Sequence, residues 1–426
     1  MSKTTSDTGE LTLDTYIGWL AVVLAASLPL YRPWVTLAST LILLLWLVGR
    51  GLRQRVARLR HHRLTLAVLT FLALNLLSLL WSDDPAEGLR YVAKYRYLLL
   101  IPVAATTIRP RHRNLALNVF QIAAAASALL SLAVFAGLLT VRGAYPGNPS
   151  PTMAHLDYAL VLALAALLIL TRILYEPMAP SRRLLWAGLF LLVTGSLAIN
   201  IGRSGHLAFI GGLLILLVHW AHGRPWRVIT GVVAAVITAL LLISTFTSGF
   251  RTRVVEGHDE LRAILIDQRY DGNLGGRVAA MMVSWEVFRQ HPILGTGVGG
   301  NIPAFRQILD TDRVELKPAV YWYRHLHNQY LQIATELGLA GLAALAWIFW
   351  ELLRGPYPNR KIYAYAIVLA AVYLLGFLGE PYLHKQVTLV MFSLFAGLIS
   401  AEHLDARRNA STGDHVSVDA ESKVKG

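Results

Sequence analysis

Long apolar runs separated by short polar connections extend over most of the chain. A run of about 18 apolar residues can cross the hydrocarbon core of a bilayer as an α-helix. The pattern therefore predicts an all-α integral membrane protein with about twelve transmembrane helices. We place these spans at roughly 15–30, 34–49, 64–81, 91–107, 115–139, 158–174, 184–200, 207–221, 228–246, 329–352, 362–379 and 387–402.

One polar segment, 247–328, is too long to be a simple connection, and it contains charged residues of both signs. Structureless loops of this length are uncommon in compact proteins, so we expect a folded, partly helical lid. Its stretch 276–290 predicts an amphipathic helix that lies on the membrane surface and ends before Pro292. The apolar residues that repeat there at helical spacing are Val278, Met281, Met282, Trp285 and Phe288.

These features divide the chain into four parts. Residues 1–246 carry helices one to nine, and 247–328 form the lid with the main motif at its end. Residues 329–402 carry helices ten to twelve. The small, polar and charged residues of 403–426 predict a disordered cytoplasmic tail.

Basic residues indicate the orientation in the membrane. The formal net charge is +14, although only 15% of the residues are charged and 55% are hydrophobic. Lys and Arg concentrate in the short loops of one side, with the densest cluster at 50–63, and such loops stay in the cytoplasm. Both termini are then cytoplasmic and 247–328 is periplasmic. Positive charge placed in this way gives no reason to expect a nucleic-acid partner.

Two further features limit the possible chemistry and processing. The absence of cysteine excludes disulfides, thiolate metal sites and cysteine nucleophiles. The first residues are polar and partly acidic, unlike a cleaved signal peptide, so we expect the first apolar segment to stay as a membrane anchor.

Two arginines on the expected periplasmic side are candidates for binding an anion. Arg203 lies in a very short connection between spans seven and eight, so its side chain has little freedom to avoid a central cavity. Arg277 follows Gly275 and Gly276 at the start of the lid helix, where backbone N–H groups can reinforce its charge. A guanidinium offers a planar set of donors that suits phosphate oxygens. The alternatives are a snorkelling interfacial arginine and a solvated surface arginine.

A histidine before span ten is the candidate for proton transfer. His327 and Gly338 share a face if the helix between them is continuous, and Gly341 lies near that face. Small residues there would permit close helix contact and hold His327 in place. Histidine accepts and returns a proton near neutral pH. A structural histidine is the alternative, and a metal pair with His325 is weak because no third ligand is evident.

The stretch Gly295–Gly300 satisfies the G-x-G-x-x-G pattern, but no strand precedes it and no βαβ unit surrounds it. We interpret it as a tight or flexible turn beside the site. Lesser candidates on the same side would together form an anion-attracting funnel. They are Arg142, His155, His206, Arg324, Glu380 and His384.

Three motifs between residues 203 and 341 resemble those of the O-antigen ligase family, part of a group that also contains O-antigen polymerases and bacterial protein O-oligosaccharyltransferases. The first is the family pattern H-[NSQ]-x9-G-x-x-G, and its residues here are His327, Asn328, Gly338 and Gly341. The second is R-x3-L at an outer helix end, with Arg203 and Leu207. The third is a loop arginine upstream of a W…HP…G-x-G stretch, and it is similar to Arg277 with Trp285, His291, Pro292 and Gly295–Gly300.

This resemblance implies a glycosyltransferase of the bacterial inner membrane that needs no metal or other cofactor. It would transfer an O-antigen glycan from undecaprenyl pyrophosphate to a sugar hydroxyl of the lipid A–core oligosaccharide on the periplasmic face, with inversion. His327, Arg203 and Arg277 would then be the catalytic residues. Substrate-binding roles would belong to Arg142, Arg324, His325, Asn328 and His206, and structural roles to Leu207, Gly338 and Gly341.

The expected partners are the two lipid-linked glycans and membrane lipids. Three alternatives remain open at this point: an O-antigen polymerase, a protein O-oligosaccharyltransferase, and a transporter of lipid-linked glycans. A transporter should contain internal repeats and helix breaks near the bilayer midplane, whereas the motif residues here gather at one face.

Overall fold

A computed structural model describes residues 13–231 and 259–424, apart from residues 50, 61, 142, 226, 229 and 356, and gives only the backbone at 273 and 406–424. The described residues are helices and loops, with two isolated β-bridges and no strand among them. The helices are α1 (Leu13–Ser27), α2 (Arg32–Val48), α3 (Leu52–Leu59), α4 (Arg63–Ser78), α5 (Pro85–Tyr95), α6 (Leu100–Thr107), α7 (Pro110–Phe135), α8 (His155–Tyr175), α9 (Pro180–Ile199), α10 (Arg203–Ala221), α11 (Asn273–Gln290), α12 (Asn301–Thr311), α13 (Lys317–Val320), α14 (Gln329–Arg354), α15 (Arg360–Gly376) and α16 (Gln386–Val424). The all-helical prediction is confirmed.

Seven helices within the described part of the chain are long and apolar enough to cross a membrane, so the protein is a multi-pass membrane protein. Each coincides with a predicted span. They are Arg63–Trp81, Pro110–Phe135, His155–Tyr175, Pro180–Ile199, Arg203–Ala221, Gln329–Arg354 and Gln386–Asp405. The bent pair α2 and α3 counts as an eighth if it forms one span.

The other predicted spans have different outcomes. Helix α1 is apolar but has only 15 residues. In the predicted span 91–107 the α-helix is interrupted by a 3-10 turn, Arg96–Leu99, which begins next to the charged residues Lys94 and Arg96. The predicted span 228–246 lies almost wholly outside the described residues. A total of twelve spans, and a disordered tail at 403–426, stay predictions.

Two helices form the centre of the bundle. Helix α8 packs against α7, α9, α10 and α15, and every residue of 158–169 is buried. The apolar part of α16, Gln386–Asp405, is 83% buried over its most apolar window. A helix that is apolar on all sides belongs in the interior of a bundle. These two helices therefore give the surrounding elements a common core.

The described part of the predicted lid has a hydrophobic core of its own. Helix α11 ends at Gln290, as predicted, and buries its small residues Ala279, Ala280, Val283 and Val287 against α12 and the segment 316–326. Its larger apolar residues lie on another face, where Met281 and Trp285 are about half exposed. The lid is thus a folded unit, and contact of its exposed face with a membrane stays a prediction.

Helix α14 is broken near its middle. Gly338 has φ +62° and ψ −153°, which are not helical. The chain that follows α11 fills the break, because the Leu339 N–H donates to Pro292 O at 2.9 Å and the Ala340 N–H to Ile293 O at 3.1 Å. A side chain at Gly338 would lie 2.4 Å from the Ile293 backbone. The helix is therefore not continuous here, and this glycine admits a backbone rather than a neighbouring helix.

The glycine-rich turn extends this attachment. Just before the break, Glu336 O accepts a hydrogen bond from the Gly297 N–H at 2.9 Å. On the opposite side, the Val298 N–H donates to Ser78 Oγ of α4 at 3.1 Å. Three of its glycines, Gly295, Gly297 and Gly299, have positive φ. The turn thus satisfies backbone groups that a broken membrane helix would leave unpaired, and it joins the lid to α14 and α4.

Candidate active site

His327 lies outside helix α14, in the turn that precedes it. Asn328 caps the helix, since its Oδ1 accepts hydrogen bonds from the N–H groups of Tyr330 at 2.9 Å and Leu331 at 3.1 Å. His327 itself has φ +50°, a conformation that is uncommon for a residue other than glycine. The condition for a shared helix face with Gly338 is therefore not met, and the position of His327 depends on the cap and the turn.

His327 is paired with a buried carboxylate. Its Nδ1 lies 2.5 Å from Glu380 Oε1, and the Glu380 side chain has no exposed surface. Burial opposes ionisation, but the hydrogen bond with His327 and the ammonium of Lys385 outweigh it and lower the pKa of Glu380 to about 2. An ionised carboxylate only accepts hydrogen bonds, so Nδ1 must donate. The other ring nitrogen, Nε2, is then the one that can accept a proton.

A lysine joins this pair to a second carboxylate. Lys385 Nζ lies 3.0 Å from Glu380 Oε2 and 3.0 Å from Asp157 Oδ1 at the start of α8. Burial lowers the pKa of Lys385, but the two carboxylates exceed that effect and raise it. Lys385 thus links Glu380 and Asp157 in one network of ion pairs beside His327.

Of the two predicted arginines, Arg277 adjoins this group, whereas Arg203 is exposed and only the residue that follows it lies close by. A Cβ at Gly379, the residue before Glu380, would lie 3.4 Å from Nη1 of Arg277 and 2.6 Å from the Ser204 side chain. Ser204 follows Arg203 in the first turn of α10, and Arg277 lies in the second turn of α11. The amino ends of two helices and a guanidinium thus meet beside Glu380, an arrangement that favours an anion.

The segment that carries Glu380 is fixed to the start of α14. The Gln329 N–H donates to Phe377 O at 2.8 Å, and its side-chain Oε1 accepts from the Leu383 N–H at 2.8 Å. Tyr330 Oη donates to Leu374 O at 2.7 Å. His327 and Glu380, far apart in the sequence, are therefore held together by the two residues that follow the cap.

A second cluster of polar side chains lies within helix α14, close to the segments that carry His327 and Glu380. Gln332 Nε2 donates to Glu336 Oε1 at 2.6 Å, and Gln332 Oε1 accepts from the Leu326 N–H at 3.1 Å. The other oxygen of Glu336 is 3.5 Å from Nε2 of His384, and both side chains are buried. We did not select Glu336 from the sequence. Its charge within an apolar span was the signal that could have identified it.

His325 belongs to the site. Its ring centroid lies 4.3 Å from that of His327. Burial and the neighbouring His327 lower its pKa to about 4, so it is neutral at physiological pH. Its Nδ1 is buried and makes no hydrogen bond within the described structure. A neutral imidazole with an unused nitrogen is able to bind a substrate hydroxyl.

The remaining predicted residues have varied positions. Arg324 is exposed beside His325, and Leu207 is also exposed. His206 is half-buried in α10, where its Nδ1 lies 3.1 Å from Gly202 O. Arg142 lies outside the described residues. Gly341 packs against Leu337 of the preceding turn, and substrate-binding roles for these residues stay predictions.

Three residues are placed so that they could hold a metal ion. One ligand atom from each of His325, His327 and Glu380 lies within 4.8 Å of the other two. Glu380 is the third ligand that the sequence did not reveal. It already binds His327 and Lys385, however, and the ammonium 3.0 Å away repels a second cation. The absence of a metal from the reaction stays a prediction.

Together these features define a multi-pass membrane protein whose candidate site combines a proton acceptor with an anion-binding corner at one end of its helices. Residues 187–346, less than half of the chain, match the family model described as O-antigen ligase, in agreement with the motifs found there. The match includes Arg203, Arg277 and His327, whereas Glu380 and Lys385 lie beyond it. No curated protein matches the chain. The match supports a glycosyltransferase-like enzyme in a membrane.

Proposed function

We propose that the protein is an O-antigen ligase, which transfers a glycan from undecaprenyl pyrophosphate to a sugar hydroxyl of the lipid A–core oligosaccharide. The observation that carries this proposal is the pair of His327 and Glu380 beside the guanidinium of Arg277. A transfer of this kind needs a base for the acceptor and positive charge for the leaving group. Both are present within one small region.

The base is Nε2 of His327. It takes the proton of the acceptor hydroxyl while that oxygen forms a bond to the anomeric carbon, and the bond from this carbon to the pyrophosphate oxygen breaks. Attack from the face opposite the leaving group inverts the anomeric centre. Glu380 keeps Nδ1 protonated and stabilises the imidazolium that forms. General-base catalysis of this kind contributes about 10²–10⁴-fold to a rate.

Arg203 and Arg277 bind the pyrophosphate and stabilise the charge that grows on it. A guanidinium stays protonated and can give two parallel hydrogen bonds to phosphate oxygens. In a site with little water, each such donor contributes about 2–4 kcal/mol to the transition state. The energy for transfer is already present in the donor, so neither a nucleotide nor a metal is required.

The orientation follows from the charge pattern. Basic short loops keep both termini in the cytoplasm of the inner membrane, so the lid and the candidate site face the periplasm. The polyprenyl chain of the donor then lies between helices in the bilayer, and both glycans reach His327 beneath the lid. This geometry suits two substrates that are both anchored in the same membrane.

An O-antigen polymerase and a protein O-oligosaccharyltransferase would use the same donor and the same base. A transporter is less suited to the arrangement of α14. The break at Gly338 is occupied by the backbone of Pro292 and Ile293, whereas transporters use such breaks to bind their substrate. We therefore retain the two enzymes as alternatives and set the transporter aside.

One experiment separates these functions. The purified full-length protein is supplied with a defined undecaprenyl-pyrophosphate glycan and with lipid A–core, a second donor molecule, or a Ser-containing peptide. We expect glycosylated lipid A–core and no extended donor or glycopeptide, with or without a chelator of divalent ions. Product on one of the other acceptors would assign the corresponding alternative, and a loss of rate in chelator that a divalent ion restores would implicate the His325, His327 and Glu380 triad.

A further inference from the structure

An exposed aromatic step leads from the surface of the lid to the candidate base. The Trp322 ring centroid lies 4.7 Å from that of Tyr323, and Tyr323 lies 5.0 Å from His327 in a second edge-to-face contact. Tyr323 is buried in the core of the lid, whereas 68% of Trp322 is exposed. A rigid chain of rings therefore connects an open aromatic surface to the residue that would activate an acceptor hydroxyl.

We propose that Trp322, together with the neighbouring Tyr321, is a saccharide-binding platform. A sugar ring has an apolar face of C–H groups that can lie flat on an indole, while its hydroxyls remain in water. The platform would hold a sugar next to the one that reacts at His327. This inference rests on the proposed function and adds to it the place where a glycan chain leaves the active site.

The ring of Tyr321 is held in place by two cations and is still partly exposed. Two cations, Lys317 and Arg306, lie over its ring at 5.4 and 5.8 Å and fix its orientation. The ring is nevertheless 41% exposed. Two consecutive exposed aromatic residues, one held by cations and one by Tyr323, lose little conformational entropy when a ligand binds.

The charges around Trp322 favour a neutral sugar surface over a membrane surface. An exposed Trp beside Lys and Arg is also typical of proteins at the lipid interface. Here, however, Lys317 is paired with Asp310 at 2.5 Å, and Arg313 lies 3.7 Å from Glu315. Anionic lipid headgroups attract unpaired basic clusters, and the ion pairs of Lys317 and Arg313 leave these two residues less available to such headgroups.

Residues that flank Trp322 belong to the hydrophobic core of the lid. The residues before and after Trp322, including Val320, Tyr323 and Leu326, pack with α11 and α12, and they form a cluster separate from the core of the membrane helices. Trp322 is therefore carried by the lid above the site.

Steady-state transfer by the full-length protein tests the platform. Trp322→Ala should raise the KM for one glycan substrate about three- to tenfold, with kcat nearly unchanged, and Trp322→Phe should behave like the parent. A rise in the KM for the acceptor places the acceptor on the platform, and a rise for the donor places the donor glycan there. The control is Trp350→Ala, because Trp350 is also exposed but lies near the other end of α14. Unchanged KM values in Trp322→Ala would overturn the proposal.

A binding measurement keeps this test separate from the proposed reaction. The fluorescence of Trp322 is obtained as the difference between the parent and Trp322→Phe, in protein reconstituted without donor. Core oligosaccharide or donor glycan, each released from its lipid, should change this signal, and brominated phospholipids should not quench it. Quenching of Trp322 by the lipids without any response to either glycan would make it a membrane anchor. A parent protein that transfers nothing would refute the proposed function, while the binding result would still decide the platform.

Discussion

Glu380 illustrates how a single buried side chain determines what a histidine can do. Its two oxygens are used separately, one for Nδ1 of His327 and one for Lys385. The first contact selects the tautomer and the second keeps the carboxylate ionised. Neither contact could be derived from the sequence, because a residue in a later interhelical connection gives no sign of its partner. The type and motif of His327 identified the base, but its orientation required the fold.

The base itself can be tested by truncation. His327→Ala removes the proton acceptor and leaves the Asn328 cap intact, so the protein should fold and insert normally. Transfer should fall by about 10²–10⁴-fold. The measurement is the rate of glycan transfer at matched protein abundance, and a rate close to that of the parent would exclude His327 from the proton step.

The carboxylate gives a prediction that depends on pH. Glu380→Gln removes the charge, and the new amide can donate to Nδ1, which leaves the proton on Nε2 and abolishes its basicity. Transfer should fall by about 10²–10⁴-fold. The pKa of Glu380 in the folded protein, about 2, is below its ordinary value of 4.5, so its ionised form stabilises the fold above about pH 4.5. That stabilisation is lost as the pH falls towards 2.

Thermal unfolding in detergent measures this second effect. The difference in melting temperature between the parent and Glu380→Gln should be largest at neutral pH and should shrink between pH 4.5 and pH 2. A difference that does not change over this interval would show that Glu380 is not held ionised by its neighbours. His112→Gln serves as the control, because this histidine lies in α7 and contacts Trp19 rather than the site.

Lys substitutions at the two arginines distinguish the effect of the positive charge from that of the planar donor geometry. Lys at position 203 or 277 keeps the positive charge but loses the planar pair of donors. We expect transfer to be strongly impaired in Arg203→Lys and Arg277→Lys, and reduced by about 10²–10³-fold in the Ala variants. The assay compares rates at equal abundance. Full activity of Arg203→Ala would remove that residue from pyrophosphate binding.

At the scale of the elements, the break in α14 determines where the lid is attached. A glycine in an apolar span is common, and the pattern of apolar residues continues smoothly through Gly338. The segment that enters the break is remote in the sequence. For these reasons the sequence predicted both the span and the turn at Gly295–Gly300, but not that the turn would insert into the span. Gly338 belongs to the motif, and in this structure a glycine is needed at that position because the Ile293 backbone lies where a side chain would be.

This explanation predicts the effect of one methyl group. Gly338→Ala would place Cβ 2.4 Å from Ile293 and would force a strained φ of +62° on alanine. The backbone strain alone costs about 1–3 kcal/mol, so the lid should detach or the protein should lose stability. We expect a lower melting temperature and easier proteolysis within the lid.

Gly195→Ala is the matched control. Gly195 lies in α9 with nothing within 4 Å of the position of its Cβ, and alanine is favoured over glycine in a helix. Its stability should be unchanged or slightly higher. Equal behaviour of the two variants would show that the break in α14 does not depend on a glycine.

At the scale of the whole molecule, the positions of the long apolar helices could be predicted from the sequence. A helix that crosses a bilayer needs a minimum length and an apolar composition, and both can be read directly from the sequence. The division of α11 into a buried face of small residues and an exposed face with Met281 and Trp285 could not be predicted, since both faces are apolar. Orientation, by contrast, is predicted from the charges of the short loops, which are visible in the sequence.

Orientation is accessible to experiment because the chain contains no cysteine. Single cysteines at Ala57, exposed in the basic cluster on α3, and at Gln307, exposed on lid helix α12, report on opposite sides in the proposed topology. A membrane-impermeant maleimide applied to intact spheroplasts should label Gln307→Cys and should label Ala57→Cys only after the membrane is permeabilised. Both variants must retain transfer, which shows that the labelled protein is folded. The reversed pattern would place His327, Glu380 and the arginines in the cytoplasm, where a periplasmic acceptor cannot reach them, and the proposed ligase reaction would then be impossible.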